Sequence, residues 1–119
     1  MKQKIFYYKS QSEIIHLLKQ ASVGVLASKS EGLPLALLEY GMAGLPVITT
    51  SVGKCPELVK SNGQIVSPGK SQELKNALIY YLENQTRRKR DATTFQKKII
   101  LEFSWESSLK AIHNYYKIF

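Results

Sequence analysis

The stretch Glu31-Gly-Leu-Pro-Leu-Ala-Leu-Leu-Glu39, with residues 40–50 after it, has the clearest structural pattern in this sequence. Pro34 suits the first turn of a helix, because the amide hydrogen that proline lacks would find no helical partner there. Gly44 and Pro46 end the apolar pattern and prevent the helix from continuing. The stretch therefore predicts a helix from Pro34 to Met42.

The residues around this helix predict parallel strands. Val47 to Thr50 is short, apolar and β-branched, which is typical of a strand covered on both faces. Further out, strands alternate with helices at the spacing of βα units in a right-handed parallel sheet. We expect strands over 5–8, 23–27, 47–50 and 64–67, and helices over 12–20, 34–42, 56–59, 71–82, 84–101 and 104–116.

Two carboxylates flank the start of the central helix, Glu31 before it and Glu39 within it. The open amides and the dipole of a helix N-terminus favour an anion, commonly a phosphate, so we interpret these acids as acceptors for the hydroxyls of a ligand. Glu39 stands among apolar residues, where an unpaired carboxylate is costly. The alternatives are a partly exposed helix acid for Glu39 and an ordinary loop acid for Glu31.

The same residues carry a resemblance to a known family. Two glutamates separated by seven residues around Gly-Leu-Pro, followed by Ala43-Gly-Leu-Pro-Val47, resemble the donor-binding signature of retaining GT-B glycosyltransferases of glycosyltransferase family 4, the glycosyl transferases group 1. Ala21-Ser-Val-Gly-Val-Leu-Ala-Ser-Lys-Ser30 is similar to the family's strand before that motif. Phe103-Ser-Trp-Glu106 resembles its C-terminal box. Nearly the whole chain is covered, and the order of the elements is that of the family.

The resemblance implies a Rossmann-like three-layer α/β/α sandwich with a mainly parallel sheet of about four strands, the truncated second domain of a GT-B fold. At 119 residues the chain has the size of one domain, too small for a two-domain enzyme. The family's first strand-helix unit, which carries an Arg and a Lys that contact the donor, has no counterpart before Lys4. We therefore expect a fragment of a two-domain glycosyltransferase whose N-terminal acceptor domain is missing.

By resemblance, Glu31 is the catalytic residue near the hydroxyls of the transferred sugar, and Glu39 accepts hydrogen bonds from the ribose. The loops after the second and third predicted strands should line one crevice, because ligands of open parallel sheets gather at the strands' carboxyl ends. Gly32 permits close backbone approach there. The amides of Leu33, Leu35 and Ala36 are placed to bind diphosphate oxygens.

A second ligand loop is implied by the resemblance at Thr50, Ser51, Gly53 and Lys54. The family usually reads Gly-Gly in this loop where this chain has Gly53-Lys54, so the resemblance does not carry the sugar contact over to Lys54. Lys54 adds a charge toward phosphate in one interpretation and is a solvent-facing lysine in the other.

The formal net charge of +8 indicates an anionic partner: a nucleotide diphosphate, an acidic lipid or a nucleic acid. Arg87, Arg88, Lys89 and Arg90 form a run whose ordinary interpretation is a solvated helix face, and whose alternative is a patch for anionic lipid headgroups. A nucleic-acid partner is not expected, since no RNA- or DNA-binding signature is recognisable. Cys55 is the single cysteine, which excludes an internal disulfide.

The leading hypothesis is the nucleotide-sugar-binding part of a retaining glycosyltransferase that transfers a hexosyl group to a glycan or a lipid-linked acceptor. No metal cofactor is expected, because helix amides and basic side chains stabilise the leaving diphosphate and no Asp-x-Asp pair occurs. This chain alone should be inactive. The competing hypotheses are a basic nucleic-acid-binding module and a degenerate, non-catalytic copy of the donor domain. The expected location is the cytoplasm, with the inner face of the membrane as the peripheral alternative.

Overall fold

The computed structural model describes residues 16–28 and 34–102. The first three of these residues are helical and lead into an alternation of three strands and four helices. The strands are β1 (Gly24–Leu26), β2 (Val47–Thr50) and β3 (Gln64–Val66); the helices are α1 (Leu35–Met42), α2 (Cys55–Val59), α3 (Ser71–Glu83) and α4 (Gln85–Glu102). The expected α/β class is confirmed.

The strands form a parallel sheet in the order β1-β2-β3, with Val25 opposite Ile48 and Thr49 opposite Ile65. All four residues of β2 are buried, because side chains that alternate along this central strand enter two different cores. Val47 packs with α1, α2 and α4, whereas Ile48 packs with α3. The result is the expected three-layer arrangement with helices on both faces of the sheet.

Glycines fix both the end of α1 and its packing. Gly44 adopts a positive φ of 76°, and the amide of Leu45 reaches the carbonyl of Tyr40 at 2.9 Å, which closes the helix in a Schellman motif. Gly41 lies against α4, where a Cβ atom would come within 2.6 Å of Cγ1 of Ile99. A side chain at position 41 would therefore force the two helices apart.

Helices α3 and α4 meet around a buried aspartate. Asp91 has no exposed surface, and its two carboxylate oxygens accept hydrogen bonds from the Tyr81 hydroxyl at 2.7 Å and from Nε of Arg87 at 3.1 Å. Burial, followed by the hydrogen bond to Asp91, raises the pKa of Tyr81 above its ordinary value of 10.0. One carboxylate thus joins the two helices on either side of their corner at Asn84.

Helix α4 also holds the ends of the two helices beneath it. Nε2 of Gln96 donates to the carbonyl of Met42 at 3.2 Å, at the last residue of α1. Nζ of Lys98 donates to the carbonyl of Glu57 at 3.1 Å and to that of Leu58, at the end of α2. These carbonyls have no partner within their own helix turn, so α4 satisfies them with side chains.

The elements differ from the sequence predictions mainly at their ends. β2 has the predicted bounds, and β1 and β3 are shorter than predicted. Helix α3 begins at Ser71 as predicted, and Lys70 precedes it without a side-chain capping bond. The predicted strand over 5–8, most of the helix over 12–20, and the segment 103–119 lie outside the described residues. Within the described ranges, no helix is long and apolar enough to cross a bilayer.

Candidate functional site

The carboxyl ends of the three strands meet at one edge of the sheet. Oγ1 of Thr50 donates to the carbonyl of Ser28 at 2.7 Å, which joins the end of β2 to the loop after β1. The amide of Ser51 donates to the carbonyl of Val66 at 2.8 Å, which joins it to the end of β3. The sequence prediction that the first two of these loops lie together is thus met at Ser28 and Thr50.

A cavity of about 260 Å³ lies at these strand ends. Its polar lining comes from Ser28 and Thr50, from Ser67 and Lys70 in the turn after β3, and from Ser71 at the start of α3. The cavity opens on the α3 side of the sheet, since Val66 and Leu74 also line it. Sequence reasoning missed the β3 turn, although the rule that ligands gather at strand ends applies to Ser67 as well.

The N-terminus of α1 lies beside the same edge. The helix's own hydrogen bonds begin where the amide of Leu37 donates to the carbonyl of Pro34 at 3.0 Å. The amides of Leu35 and Ala36 precede that bond, so they belong to the group that a helix start offers to outside acceptors. The first turn of α1 carries no acidic side chain that would compete for them. This end of α1 is suited to a phosphate.

Glu39 lies in the second half of α1 and is only 8% exposed. Its neighbour Tyr40 packs its ring against Gly24 of β1 and donates from its hydroxyl to the carbonyl of Val25 at 3.3 Å. Burial, and then the charge of Glu39, raise the pKa of Tyr40. The Glu39 carboxylate is thus buried in the layer that α1 forms on the sheet, and it does not line the cavity on the α3 side.

The second predicted ligand loop is more open. Ser51, Gly53 and Lys54 are exposed, and Gly53 adopts a positive φ of 53° in the turn before α2. Of this loop's predicted residues, Thr50 alone lines the cavity. The predicted donor contacts of the other three remain predictions.

Glu31, Gly32 and Leu33 lie outside the described residues, so their predicted roles also remain predictions. Among residues 16–28 and 34–102, no group of three His, Cys, Asp or Glu side chains is placed to hold a metal ion.

Comparisons with known proteins give the family. The family model described as glycosyl transferases group 1 matches residues 1–98. The chain is 29% identical over 114 residues to an uncharacterised glycosyltransferase of Methanocaldococcus jannaschii, covering 92% of this chain and 31% of that protein. It is 29% identical over 101 residues to the MMP alpha-(1->4)-mannosyltransferase of Mycolicibacterium hassiacum, covering 82% of this chain and 25% of that one.

Solved structures agree on the fold. Anabaena HepE in complex with UDP superposes with a TM-score of 0.77 at 23% identity, over 92% of this chain and 31% of that one. The C-terminal domain of a glycosyl transferase group 1 family protein from Francisella tularensis superposes with a TM-score of 0.73 at 25% identity, over 82% and 51% of the two chains. The chain spans between about a quarter and a third of the length of the two curated relatives named above. By its match over residues 1–98, this chain belongs to the glycosyl transferases group 1 family, with a GT-B glycosyltransferase domain fold.

Proposed function

We propose that this chain is the donor-binding part of a retaining glycosyltransferase. It binds a nucleotide-diphospho-sugar, and the full-length enzyme transfers a hexosyl group to a glycan or a lipid-linked acceptor. The acceptor is held by a second, N-terminal domain of such an enzyme, and the donor lies in the cleft between the two domains.

The observation that carries this proposal is the position of Glu39 relative to the start of α1. The amides of Leu35 and Ala36 are the open end of the helix, and Glu39 follows four residues after Leu35. A helix rises about 1.5 Å per residue, so the carboxylate stands about 6 Å further along the axis than those amides. That offset suits a ligand with a diphosphate at the amides and ribose hydroxyls at the acid.

Related proteins support the same ligand class. Anabaena HepE, which shares the fold, has also been solved in complex with UDP-glucose. Two relatives are named as mannosyltransferases, that of Mycolicibacterium hassiacum and the O-antigen chain mannosyltransferase B of Escherichia coli. A hexosyl donor is consistent with these names.

The proposed chemistry needs stabilisation of the charge that develops on the leaving diphosphate. Preorganised amides at the N-terminus of α1 provide it without reorganising during the reaction. In this proposal Glu31 contacts the hydroxyls of the transferred sugar, while Gly32 and Leu33 bring the backbone close to the phosphates. Thr50, Ser51, Gly53 and Lys54 border the sugar from the second loop, with the ammonium of Lys54 facing the phosphates.

Isothermal titration of the 119-residue chain with UDP-glucose and GDP-mannose tests the donor role of Glu39. Hydrogen bonds to a charged acceptor contribute about 1.5–3 kcal/mol, so Glu39→Gln is expected to weaken binding about 10- to 100-fold. Glu57→Gln is the matched control, because Glu57 is an exposed acid in the first turn of α2. The Glu57→Gln variant should bind both nucleotide sugars with the affinity of the unchanged chain.

Equal affinity of Glu39→Gln and the unchanged chain, with both folded by circular dichroism, would contradict the proposed role of Glu39. Hydrolysis or transfer of the sugar by this chain alone would contradict the division of labour between two domains.

A further inference from the structure

Helix α4 presents one uninterrupted solvent-facing strip, which we call the outer arc. Residues of an α-helix are separated by about 100° around the axis, and seven residues of α4 fall within an arc of about 120°. All seven are exposed, whereas the opposite side of the helix carries the buried Asp91, Phe95 and Ile99. The outer arc consists of Thr86, Lys89, Arg90, Thr93, Lys97, Ile100 and Leu101.

The outer arc is purely basic in its charge. Lys89, Arg90 and Lys97 are its charged members, and it contains no acid. The two acids of α4 lie off the arc: Asp91 is buried, and Glu102 stands 4.0 Å from Lys98 on another side of the helix. The three cations therefore face solvent without a carboxylate beside them on the arc.

The structure also separates the arc from the basic run seen in the sequence. Arg87 is directed to the buried Asp91 and is committed to the corner between α3 and α4. Arg88 is half-buried. Only Lys89 and Arg90 of that run reach the outer arc, and Lys97 joins them two turns later.

At its C-terminal end the outer arc becomes apolar. Ile100 is 48% exposed and Leu101 is 84% exposed, directly after the basic part of the strip. A helix face that combines cations with exposed aliphatic side chains suits the boundary of an anionic bilayer, where the charges meet lipid phosphates and the aliphatic groups enter the acyl region. A nucleic-acid backbone offers phosphates but no acyl layer for Ile100 and Leu101.

We propose that the outer arc of α4 docks this domain on an anionic bilayer surface, with Lys89, Arg90 and Lys97 on the headgroups and Ile100 and Leu101 inserted below them. The docking surface is independent of donor binding, because the arc lies on the solvent side of α4 while α1 packs on its buried side.

Co-sedimentation of the 119-residue chain with vesicles tests this surface. The chain should bind vesicles of phosphatidylcholine and phosphatidylglycerol, bind pure phosphatidylcholine vesicles far less, and lose affinity as salt is added. Each basic residue near an anionic surface contributes about 1 kcal/mol, so the triple variant K89Q/R90Q/K97Q should bind about 100-fold more weakly.

The matched control changes the same number of exposed basic residues elsewhere, at Lys19, Lys60 and Lys75. This triple glutamine variant has the same net charge as the first and should bind within about threefold of the unchanged chain if binding is confined to the arc. The pair I100S/L101S keeps every charge and should bind about 10-fold more weakly, because it removes the inserted aliphatic groups. Thermal unfolding verifies that each variant is folded.

Three results would overturn the proposal. Equal losses in the two triple variants would show that net charge, and not the arc, governs binding. Unchanged vesicle binding of I100S/L101S would show that Ile100 and Leu101 do not insert into the bilayer. Tighter binding to duplex DNA than to anionic vesicles, at the same salt and with no effect of the serine pair, would assign the arc to nucleic acid.

Discussion

Replacing Asp91 by alanine should destabilise the domain more than any other single change of a charged side chain on α4. Asp91 is fully buried and accepts from the Tyr81 hydroxyl at 2.7 Å and from Arg87 at 3.1 Å. Asp91→Ala leaves the Tyr81 hydroxyl buried without its acceptor, at a cost of about 1–3 kcal/mol. Arg87 is more exposed and regains water, so its lost ion pair adds at most about 1 kcal/mol. We therefore expect a loss of about 3 kcal/mol in the free energy of unfolding.

Urea unfolding followed by circular dichroism measures this loss, and an unchanged m-value shows that the folded and unfolded states compared are the same. Glu102→Ala is the matched control, since Glu102 also follows a basic residue by four positions but is 52% exposed. Its effect should stay below about 0.5 kcal/mol.

A double-mutant cycle separates the hydrogen bond from other effects of the substitution. In a Tyr81→Phe background the orphaned hydroxyl is absent, so Asp91→Ala should cost less there by about 1–2 kcal/mol. Additive effects of the two substitutions, or a cost of Asp91→Ala no larger than that of Glu102→Ala, would refute the reasoning.

Two further predictions concern the packing of α1 and the titration of Tyr81. Gly41→Ala should lower the free energy of unfolding by about 1–3 kcal/mol despite the better helix propensity of alanine, because its Cβ would meet Ile99 at 2.6 Å and Phe95 at 3.0 Å. The cost should shrink in an Ile99→Ala background; a stabilising Gly41→Ala in the parent chain would contradict the contact. Because the pKa of Tyr81 is raised in the folded state, its neutral hydroxyl contributes fully to the free energy of unfolding below pH 10. This contribution is lost as the pH rises toward the folded-state pKa. Chemical denaturation between pH 9 and pH 12 should therefore show a steeper fall in the parent chain than in Tyr81→Phe, and equal slopes would exclude this linkage.

Much of the fold was predictable because its signals are local. Val47 to Thr50 is β-branched over its whole length, and the strand has the predicted bounds. Gly44 ends α1 as predicted, since only a residue tolerant of positive φ closes the helix in this way. The predicted strand over 23–27 is shorter in the structure, because its pairing with β2 extends only from Gly24 to Leu26.

The burial of Asp91 between α3 and α4 is not predicted from the sequence, because its neighbours in the chain are strongly charged. Asp91 follows four basic residues, so the run was interpreted as a solvated face or a lipid patch. A usable signal was present all the same: Asp91, Phe95 and Ile99 recur every four residues and are the buried residues of α4. An acid that extends an apolar stripe is a candidate for a buried acceptor.

The candidate site was predictable to the extent that it follows from topology. Parallel strands end at one edge, so the meeting of Ser28 with Thr50 followed from the order of the elements. The exclusion of Gly53 and Lys54 from the cavity could not be predicted in this way. The path of the turn before α2 depends on how Val52 and Cys55 are buried on either side of it.

The clamp that Gln96 and Lys98 place on the ends of α1 and α2 also bears on how the protein is made. Gln96 comes 54 positions after Met42 and Lys98 comes 41 positions after Glu57, both near the end of α4. During vectorial synthesis the ribosome therefore releases α1, with Glu39, well before it releases Gln96, which binds the end of α1. Helix α1 gains this contact only when Gln96 of α4 has left the exit tunnel, and translation that stops before codon 96 yields a nascent chain that lacks it.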